Sequence, residues 1–481
     1  MLVEVRPIAR LRGKDPVDVT AALGPVLRAL CAGDADLSRV RLVCDWVQYK
    51  HNFRAPVDVR DIAPDPRHNG DGRTEMEVAV DLRRPAADVT RALAAGDSDR
   101  VHLEEWGPGS RSCVWEFNAL YWAHLRLWED ATGQGYESAL PGGRSDATNP
   151  DGARELIREL FTIWDDLAAR HALPEELYVV ELGVGNGSQA ATFLDTFREM
   201  DSGEGDRDRG YYRRLHYLMC DYSPHVLELA RAAVASHAEH VSSFVLDAVH
   251  PTTALGFLRF KVFLVYVSNV YDNLPTDELA SIAGREYVVQ TRAYLPAEVA
   301  VEIAAEHGIG VDELPALVHR LLRLGPPLLA ETTASDVDTA VGFWRRCWAA
   351  VRLQERYLPL PGLDTYEIAP GVSGEALRPL LASGGDVRMH VGNGAVASFT
   401  ETMPLLHPYG RLICHDLFVT DVRQYRTGFR GPGKYDGSVV NWVNGPLLAH
   451  LGHRKGFDVR FAPFAHRAAS NVQTMTAQVR D

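Results

Sequence analysis

Short apolar runs alternate with amphipathic helical runs between residues 151 and 268. The runs "LYVVELG", "LHYLMCD", "SSFVLD" and "KVFLVYVSN" have the length of strands, and helix-forming segments such as "SQAATFLDTFREMD" and "PHVLELARAAVASHA" separate them. Apolar strands that alternate with helices are typical of a parallel sheet covered on both faces. We therefore predict an α/β fold with a doubly wound, Rossmann-like sheet.

Three further segments are predicted around this sheet. Residues 1–105 contain strand-like runs such as "EMEVAVDLR" and predict a mixed α/β lobe, and residues 106–150 predict an aromatic helix followed by a lid-like loop. Helical spacing of apolar residues predicts an inserted helical lobe over 291–394. The strand pattern returns at "GRLICHDLFV", so the sheet domain is expected to consist of 151–290 and 395–481.

The composition limits the class of partner. Acidic residues (64) outnumber Lys and Arg (50), giving a net charge of −14, so we expect neither a nucleic-acid surface nor an anionic membrane surface. The six cysteines include no CxxC pair, which predicts a reducing, cytoplasmic environment and no metal site. Neither a secretory signal nor a membrane span is predicted, and a homodimer is possible.

Three glycines follow the first predicted strand, in the segment "ELGVGNG". Gly183, Gly185 and Gly187 are spaced G-x-G-x-G, whereas a dinucleotide-binding loop has G-x-G-x-x-G and an acid about 20 residues later. The next acid at a strand end, Asp221, follows Gly187 only after 34 residues. A nicotinamide-dependent oxidoreductase is therefore the less favoured of two alternatives.

Three acids at successive strand ends favour S-adenosylmethionine instead. Glu181 could bind an ammonium group, Asp221 could accept hydrogen bonds from both ribose hydroxyls, and Asp247 could meet the adenine edge. The glycines would let the backbone approach the ligand closely. The alternative is a tight turn with two capping aspartates. The residues predicted to bind the cofactor are Glu181, Gly183, Gly185, Gly187, Asp221, Tyr222, Ser223, Asp247, Ala248 and Asn269.

Four segments of the predicted sheet domain carry a family resemblance. These segments resemble class I S-adenosylmethionine-dependent methyltransferases, and more closely their MidA-like family. "ELGVGNG" is similar to that family's glycine motif, and "DYSPHVLELAR" to its second-strand motif. "SNVYDNLP" resembles the "NExxDALP" segment of the MidA-like family, and "GRLICHDLF" falls at the end of that family's fifth strand. The MidA-like family includes complex-I assembly factors that act as protein-arginine methyltransferases. The resemblance, over roughly 150–290 and 395–481, implies S-adenosylmethionine as the cofactor and methyl transfer as the activity.

The sequence departs from the family pattern at two places. Val270 stands where the family has an acid directly after the Asn, and Cys414, His415 and Asp416 stand where it has Asp-Tyr-Gly. An arginine substrate needs carboxylates to hold its guanidinium group in a bidentate way. A small-molecule acceptor is therefore favoured over a protein. A MidA-type arginine methyltransferase or assembly factor, and a cofactor-binding protein without catalysis, remain alternatives.

The candidate catalytic residues follow the fourth and fifth strands. Methyl transfer is an in-line displacement that needs alignment, and it needs a base only if the nucleophile must lose a proton. His415 is the best base by residue type, and a core or surface histidine is the alternative. Asp272 could orient or deprotonate the acceptor, and its alternative is a cap of a helix "LPTDELASIAG". Tyr271 and Asp416 complete this set.

Overall fold

The computed structural model describes most of the 481-residue chain. The described residues are 2–7, 20–32, 39–45, 53–64, 75–81, 91–92, 96–136, 149–202, 209–382, 385–426, 431–466 and 471–480. The sequence predicts a lid-like loop over residues that include 137–148, and this part lies outside the described residues.

The strands are, in chain order, β1 Leu2–Pro7, β2 Arg39–Asp45, β3 Val57–Ile62, β4 Glu75–Asp81, β5 Arg100–His102, β6 Gly107–Pro108, β7 Leu177–Leu182, β8 Leu215–Asp221, β9 Val241–Val245, β10 Val262–Ser268, β11 Glu278–Ile282, β12 Arg285–Pro296, β13 Arg352–Pro359, β14 Glu367–Ala369, β15 Val372–Ser373, β16 Val387–His390, β17 Leu406–Asp416, β18 Phe418–Val419, β19 Gly433–Tyr435, β20 Ser438–Val440, β21 Val443–Asn444, β22 Phe457–Pro463 and β23 Gln473–Val479.

The α-helices are α1 Thr20–Ala32, α2 Cys113–Ala123, α3 Leu125–Thr132, α4 Pro150–Ala169, α5 Ser188–Ser202, α6 Pro224–Ala233, α7 Thr252–Leu255, α8 Ala297–Glu306, α9 Leu314–Thr333, α10 Val337–Ala350, α11 Arg378–Leu381, α12 Asn393–Thr402 and α13 Gly445–Arg454.

The chain divides into two compact units, and the second contains the predicted sheet. This unit consists of Trp122–Leu274, Gly394–Thr420 and Val443–Asp481. Among its described residues, seven strands form one sheet in the order β22-β23-β17-β10-β7-β8-β9. The strands from β17 to β9 pair in parallel, and β23 runs antiparallel to both of its neighbours. The structure confirms the predicted doubly wound, Rossmann-like α/β fold.

Helix caps and an aromatic core fix this unit locally. The side chain of Asn149 accepts a hydrogen bond from a backbone N–H at the start of α4, and Ser223 does so for α6. Each cap is followed by a proline at the first helical position, where the missing N–H costs nothing. The Trp164 ring of α4 is fully buried and packs edge-on against Phe263 of β10. Helix α4 thereby packs on one face of the sheet.

The other unit joins the N-terminal residues to the insertion. It consists of Met1–Tyr121, Pro275–Asn393 and Asp421–Trp442. Its described strands form a ten-stranded sheet along β1-β2-β4-β3-β13-β12-β11-β16, with β5 and β6 paired to β12. This division differs from the predicted boundaries, which separated an N-terminal lobe (1–105) from a helical insertion (291–394). The two segments contribute strands to one sheet, because β13 of the insertion pairs with the N-terminal β3.

The segment predicted as an inserted helical lobe contains strands as well as helices. Helices α8, α9 and α10 occupy its first half, but β13 and β16 follow them, and β12 spans the predicted boundary at residue 290. "LPTDELASIAG" also forms a strand, Glu278–Ile282, rather than a helix. The strand is favoured because it pairs with neighbours on both sides, β12 and β16, a tertiary context that local propensity does not reveal.

Charged side chains are buried in the ten-stranded sheet. Arg60 of β3 lies 2.7 Å from both Glu77 and Glu355, and Arg388 lies 2.9 Å from Glu355. All four side chains are buried, so each charge depends on its partners for compensation. The Arg60–Glu355 ion pair joins β3 to β13, so the N-terminal and inserted segments share one buried charge network.

Candidate functional site

The three glycines form the turn between β7 and α5. Gly183, Gly185 and Gly187 have φ values of +74°, +58° and +81°, a backbone region that residues with a Cβ avoid. A Cβ at Gly183 would overlap the Val270 side chain, and one at Gly187 would lie 2.6 Å from the Cα of Ala230 in α6. Both positions therefore need glycine because protein atoms fill the space. The requirement for glycine at these two positions therefore has a packing reason, and a close approach of the turn to a ligand stays a prediction.

Asp221 lies at the end of β8 beside the glycine turn. Its carboxylate accepts hydrogen bonds from the backbone N–H of Ser223 (2.9 Å) and of Gly185 (3.3 Å). Burial raises the pKa of Asp221 to about 6, although these backbone N–H groups favour the ionised form. The two turns that follow β7 and β8 are thus joined through one carboxylate, which faces the carboxyl edge of the sheet.

Glu181, the last acid of β7 before the turn, is buried. Its carboxylate accepts a 2.6 Å hydrogen bond from the Tyr217 hydroxyl on β8. Burial raises the pKa of Glu181 to about 8, the Tyr217 bond lowers it, and the nearby Asp221 charge raises it further. The free site therefore holds an acid whose ionised form would be stabilised by a cation.

The turn after β9 places Asp247 near Tyr222. The Asp247 carboxylate is exposed and accepts a 2.8 Å hydrogen bond from the Val249 backbone N–H, and Ala248 lies within that turn. Burial, and secondarily the Asp247 charge, raise the pKa of Tyr222. The Tyr222 side chain is 41% exposed. An exposed aromatic side chain beside an exposed carboxylate offers both a stacking surface and a hydrogen-bond acceptor.

The loop after β10 meets the glycine turn. Asn269 adopts a left-handed backbone (φ +52°), and its N–H donates a 2.9 Å hydrogen bond to the backbone carbonyl of His415. Val270, the residue that replaces the family's acid, packs over Gly183. An apolar contact therefore occupies the position where the resemblance would place a carboxylate.

Asp416 fixes the same loop. Its Oδ2 atom accepts hydrogen bonds from the backbone N–H groups of Tyr271 (2.8 Å), Val270 (3.2 Å) and Asp272 (3.4 Å). Its Oδ1 atom accepts a 2.7 Å bond from the Leu417 N–H. The side chain is fully buried, and burial raises the pKa of Asp416 to about 6, although all these N–H groups favour its ionised form. We therefore interpret Asp416 as a residue that positions the loop and not as a base, which departs from its predicted catalytic role.

Asp272 and Tyr271 are also buried. Burial, followed by the Asp416 charge, raises the pKa of Asp272 well above its ordinary value, and a hydrogen bond to Asp416 acts in the same direction. Near neutral pH, burial and the Asp416 charge therefore favour the protonated form of Asp272. The Tyr271 side chain is 1% exposed, and burial raises its pKa. The alternative role of Asp272 as the cap of a helix "LPTDELASIAG" is excluded because that segment forms the strand β11, Glu278–Ile282.

His415 lies on the opposite face of β17 from Asp416. Its Nδ1 atom and the Thr474 hydroxyl share a 2.9 Å hydrogen bond, and its ring packs against Tyr266 and Phe464. Burial, and then the neighbouring His466, lower the pKa of His415 to about 4. His415 is therefore neutral near pH 7, so it can accept a proton but is a weak base.

Sequence reasoning missed two tyrosines of this site. Tyr217 shares a sheet face with Glu181, since the parallel register aligns it with Val179 two residues earlier on β7. A buried carboxyl needs a hydrogen-bond donor. This need would have pointed to Tyr217 on the neighbouring strand. Tyr136 lies outside the motifs, and its hydroxyl would be 3.0 Å from a Cβ at Gly185.

No helix in the described part of the chain is long and apolar enough to cross a membrane. Across the same described ranges, no group of three His, Cys, Asp or Glu side chains is arranged to hold a metal ion.

No protein-family model and no curated protein matches the chain. Among solved structures, a COG1565 superfamily member from Burkholderia thailandensis bound to S-adenosyl-homocysteine is 14% identical, with 78% of this chain and 88% of that chain covered and a TM-score of 0.44. An uncharacterised member of that superfamily from the same organism is 13% identical over 78% and 87%, with a TM-score of 0.43.

The methyltransferase CcbJ from Streptomyces caelestis is 11% identical over 76% of this chain and 99% of that chain, with a TM-score of 0.32. These similarities are too low to assign a function. The function proposed for this chain therefore rests on the residues of its own site.

Proposed function

We propose that the chain is an S-adenosylmethionine-dependent methyltransferase. The observation that carries the proposal is the position of Asp221, whose carboxylate joins the glycine turn to the turn after β8 at the carboxyl edge of the sheet. Ligands of open α/β sheets bind at this edge. A carboxylate held there by backbone N–H groups has the chemistry to accept hydrogen bonds from a ribose.

The donor and acceptor set of the site fits this cofactor. Asp221 would hold the ribose, Tyr222 and Asp247 would meet the adenine, and Glu181 would complement a positive charge. When bound, S-adenosylmethionine supplies an activated methyl group on a sulfonium cation. The other residues predicted to bind the cofactor lie in the turns that carry these side chains. They are Gly183, Gly185, Gly187, Ser223, Ala248 and Asn269.

A nicotinamide cofactor fits less well. Its pyrophosphate carries negative charge, whereas Glu181 and Asp221 place two carboxyl groups next to the glycine turn. Burial already raises the pKa of both groups, so a further anion would add repulsion. A sulfonium or ammonium group would relieve it. The charge of the site thus favours the cationic cofactor.

The acceptor is proposed to be a small molecule that does not present a guanidinium group. Val270 offers an apolar contact, and Asp272 is buried and retains a proton, so neither supplies the carboxylate pair that a guanidinium requires. The Asp416 carboxylate is occupied by hydrogen bonds to the loop, and His415 is a weak base. Alignment of the acceptor with the methyl group therefore contributes more to catalysis than proton removal. This favours an acceptor that is nucleophilic without a strong base.

Radiolabelled methyl transfer tests the proposal. Incubation of the purified protein with S-adenosylmethionine labelled in the methyl group, together with a cell lysate, should place the label in the fraction that passes a size filter. Label mainly on protein, traced to arginine by mass spectrometry, would favour the MidA-type alternative. Binding of the cofactor without transfer to any fraction would favour a cofactor-binding protein without catalysis.

A further inference from the structure

Tyr136 stands over the glycine turn although it lies far from the motifs in sequence. Its hydroxyl would be 3.0 Å from a Cβ at Gly185, so Oη occupies the side of that glycine that a larger residue would fill. The Gly185 N–H donates to Asp221 at 3.3 Å. The hydroxyl is therefore placed at the edge of the sheet where the predicted cofactor residues meet.

The segment that carries Tyr136 is held in place by its neighbours. The Tyr136 backbone N–H donates a 2.8 Å hydrogen bond to Glu129 Oε1 of α3. The other oxygen of Glu129 lies 3.7 Å from Nε2 of His225, near the start of α6. The Trp122 ring meets the Tyr136 ring edge-on, with 6.0 Å between their centroids. The hydrogen bond to Glu129 and the contact with Trp122 thus orient the Tyr136 side chain before any ligand binds.

The charges of the site indicate what this hydroxyl would meet. The carboxyl groups of Glu181, Asp221 and Asp247 suit the ammonium, sulfonium, ribose and adenine groups of S-adenosylmethionine. None of them suits the carboxylate of the amino-acid head, which needs hydrogen-bond donors. A tyrosine hydroxyl is a neutral donor, and hydrogen bonds to an ionised acceptor are about twice as strong as neutral ones.

We propose that the Tyr136 hydroxyl binds the amino-acid carboxylate of the cofactor and so makes the site selective for ligands that carry this head. The proposal rests on the proposed function, since it requires an S-adenosyl ligand at the glycine turn. It extends the site to a residue outside the motif-bearing segments of the sheet domain.

Two ligands that differ in the amino-acid head test this assignment. S-adenosylhomocysteine carries the head, and 5′-methylthioadenosine has the same adenine, ribose and thioether without it. Isothermal titration calorimetry of the full chain would compare both ligands with the wild type and with Tyr136→Phe, which removes only the hydroxyl. The control is Tyr178→Phe, since the Tyr178 hydroxyl bonds Glu176 at 2.5 Å in an exposed position.

We expect Tyr136→Phe to lower the affinity for S-adenosylhomocysteine by at least about 10-fold, which is the usual effect of losing a hydrogen bond to a charged group. The affinity for 5′-methylthioadenosine should not change, and Tyr178→Phe should affect neither ligand. An equal loss of affinity for both ligands, or no loss for either, would overturn the role of Tyr136 and leave the proposed function intact. Absence of binding of both ligands by the wild type would instead overturn the proposed function.

Discussion

The Tyr217 hydroxyl of β8 donates a 2.6 Å hydrogen bond to Glu181, whose buried carboxyl lies near the end of β7. Burial raises the pKa of this carboxyl to about 8 from an ordinary value of 4.5. Near neutral pH the free protein therefore retains a proton on Glu181. A bound cation would favour its release, so ligand binding and protonation are coupled at this residue.

The first prediction concerns the pH dependence of stability. The folded protein binds the Glu181 proton more tightly than the unfolded chain does. Protonation of Glu181 therefore contributes its full stabilisation below pH 4.5, and this stabilisation is lost as pH rises through about 8. Relative to wild type, Glu181→Gln should gain stability over this interval, by at most about 1.4 kcal/mol per pH unit. Urea unfolding of both proteins from pH 5 to pH 8 measures the difference. A constant difference would contradict the raised pKa.

The second prediction separates two reasons for glycine in the turn. Gly187 and Gly456 both have left-handed backbones, with φ of +81° and +85°. A Cβ at Gly187 would crowd Ala230, whereas nothing lies within 4 Å of a Cβ at Gly456. Gly456→Ala should therefore cost about 1–2 kcal/mol of unfolding free energy, and Gly187→Ala about 1–3 kcal/mol more. Equal costs in thermal or urea unfolding would show that Ala230 does not require glycine.

The third prediction tests which carboxyl of the buried pair is ionised. Asp416 accepts four backbone hydrogen bonds, so Asp416→Asn would place an amide N–H₂ group against N–H donors and should cost about 1–3 kcal/mol. Asp272 retains a proton, so Asp272→Asn replaces one neutral group by another and should cost under about 1 kcal/mol. Chemical unfolding near pH 7 compares the two variants. The reverse order of costs would place the proton on Asp416.

Local patterns in the sequence predict the site-bearing sheet but not the second sheet. The apolar runs that end at Glu181 and Asp221 lie next to helices in sequence, so periodicity is enough to place both acids at strand ends. The strand Glu278–Ile282 depends on partners in β12 and β16, and β13 depends on an N-terminal strand. These pairings join residues far apart in sequence, which local patterns do not reveal, and the insertion was predicted from its helical spacing alone.

Burial and hydrogen bonding explain why the chemistry was harder to predict than the cofactor residues. His415 and Asp416 were selected by residue type, but a pKa depends on surroundings that the sequence does not specify. Burial lowers the pKa of His415 to about 4, and four backbone N–H groups surround Asp416. Their predicted catalytic roles changed because of those neighbours, whereas the position of Asp221 depended only on the end of a strand.

Calorimetric titration with S-adenosylmethionine tests the central claim most directly. Wild type should bind, and Asp221→Ala should weaken binding about 10- to 150-fold, because it removes a charged acceptor of the ribose hydroxyls. The matched control is Asp166→Ala, which removes an exposed carboxylate paired with Arg170 on the surface of α4 and should leave the affinity unchanged. Unchanged affinity in Asp221→Ala, or no binding by the wild type, would contradict a cofactor site built on Asp221.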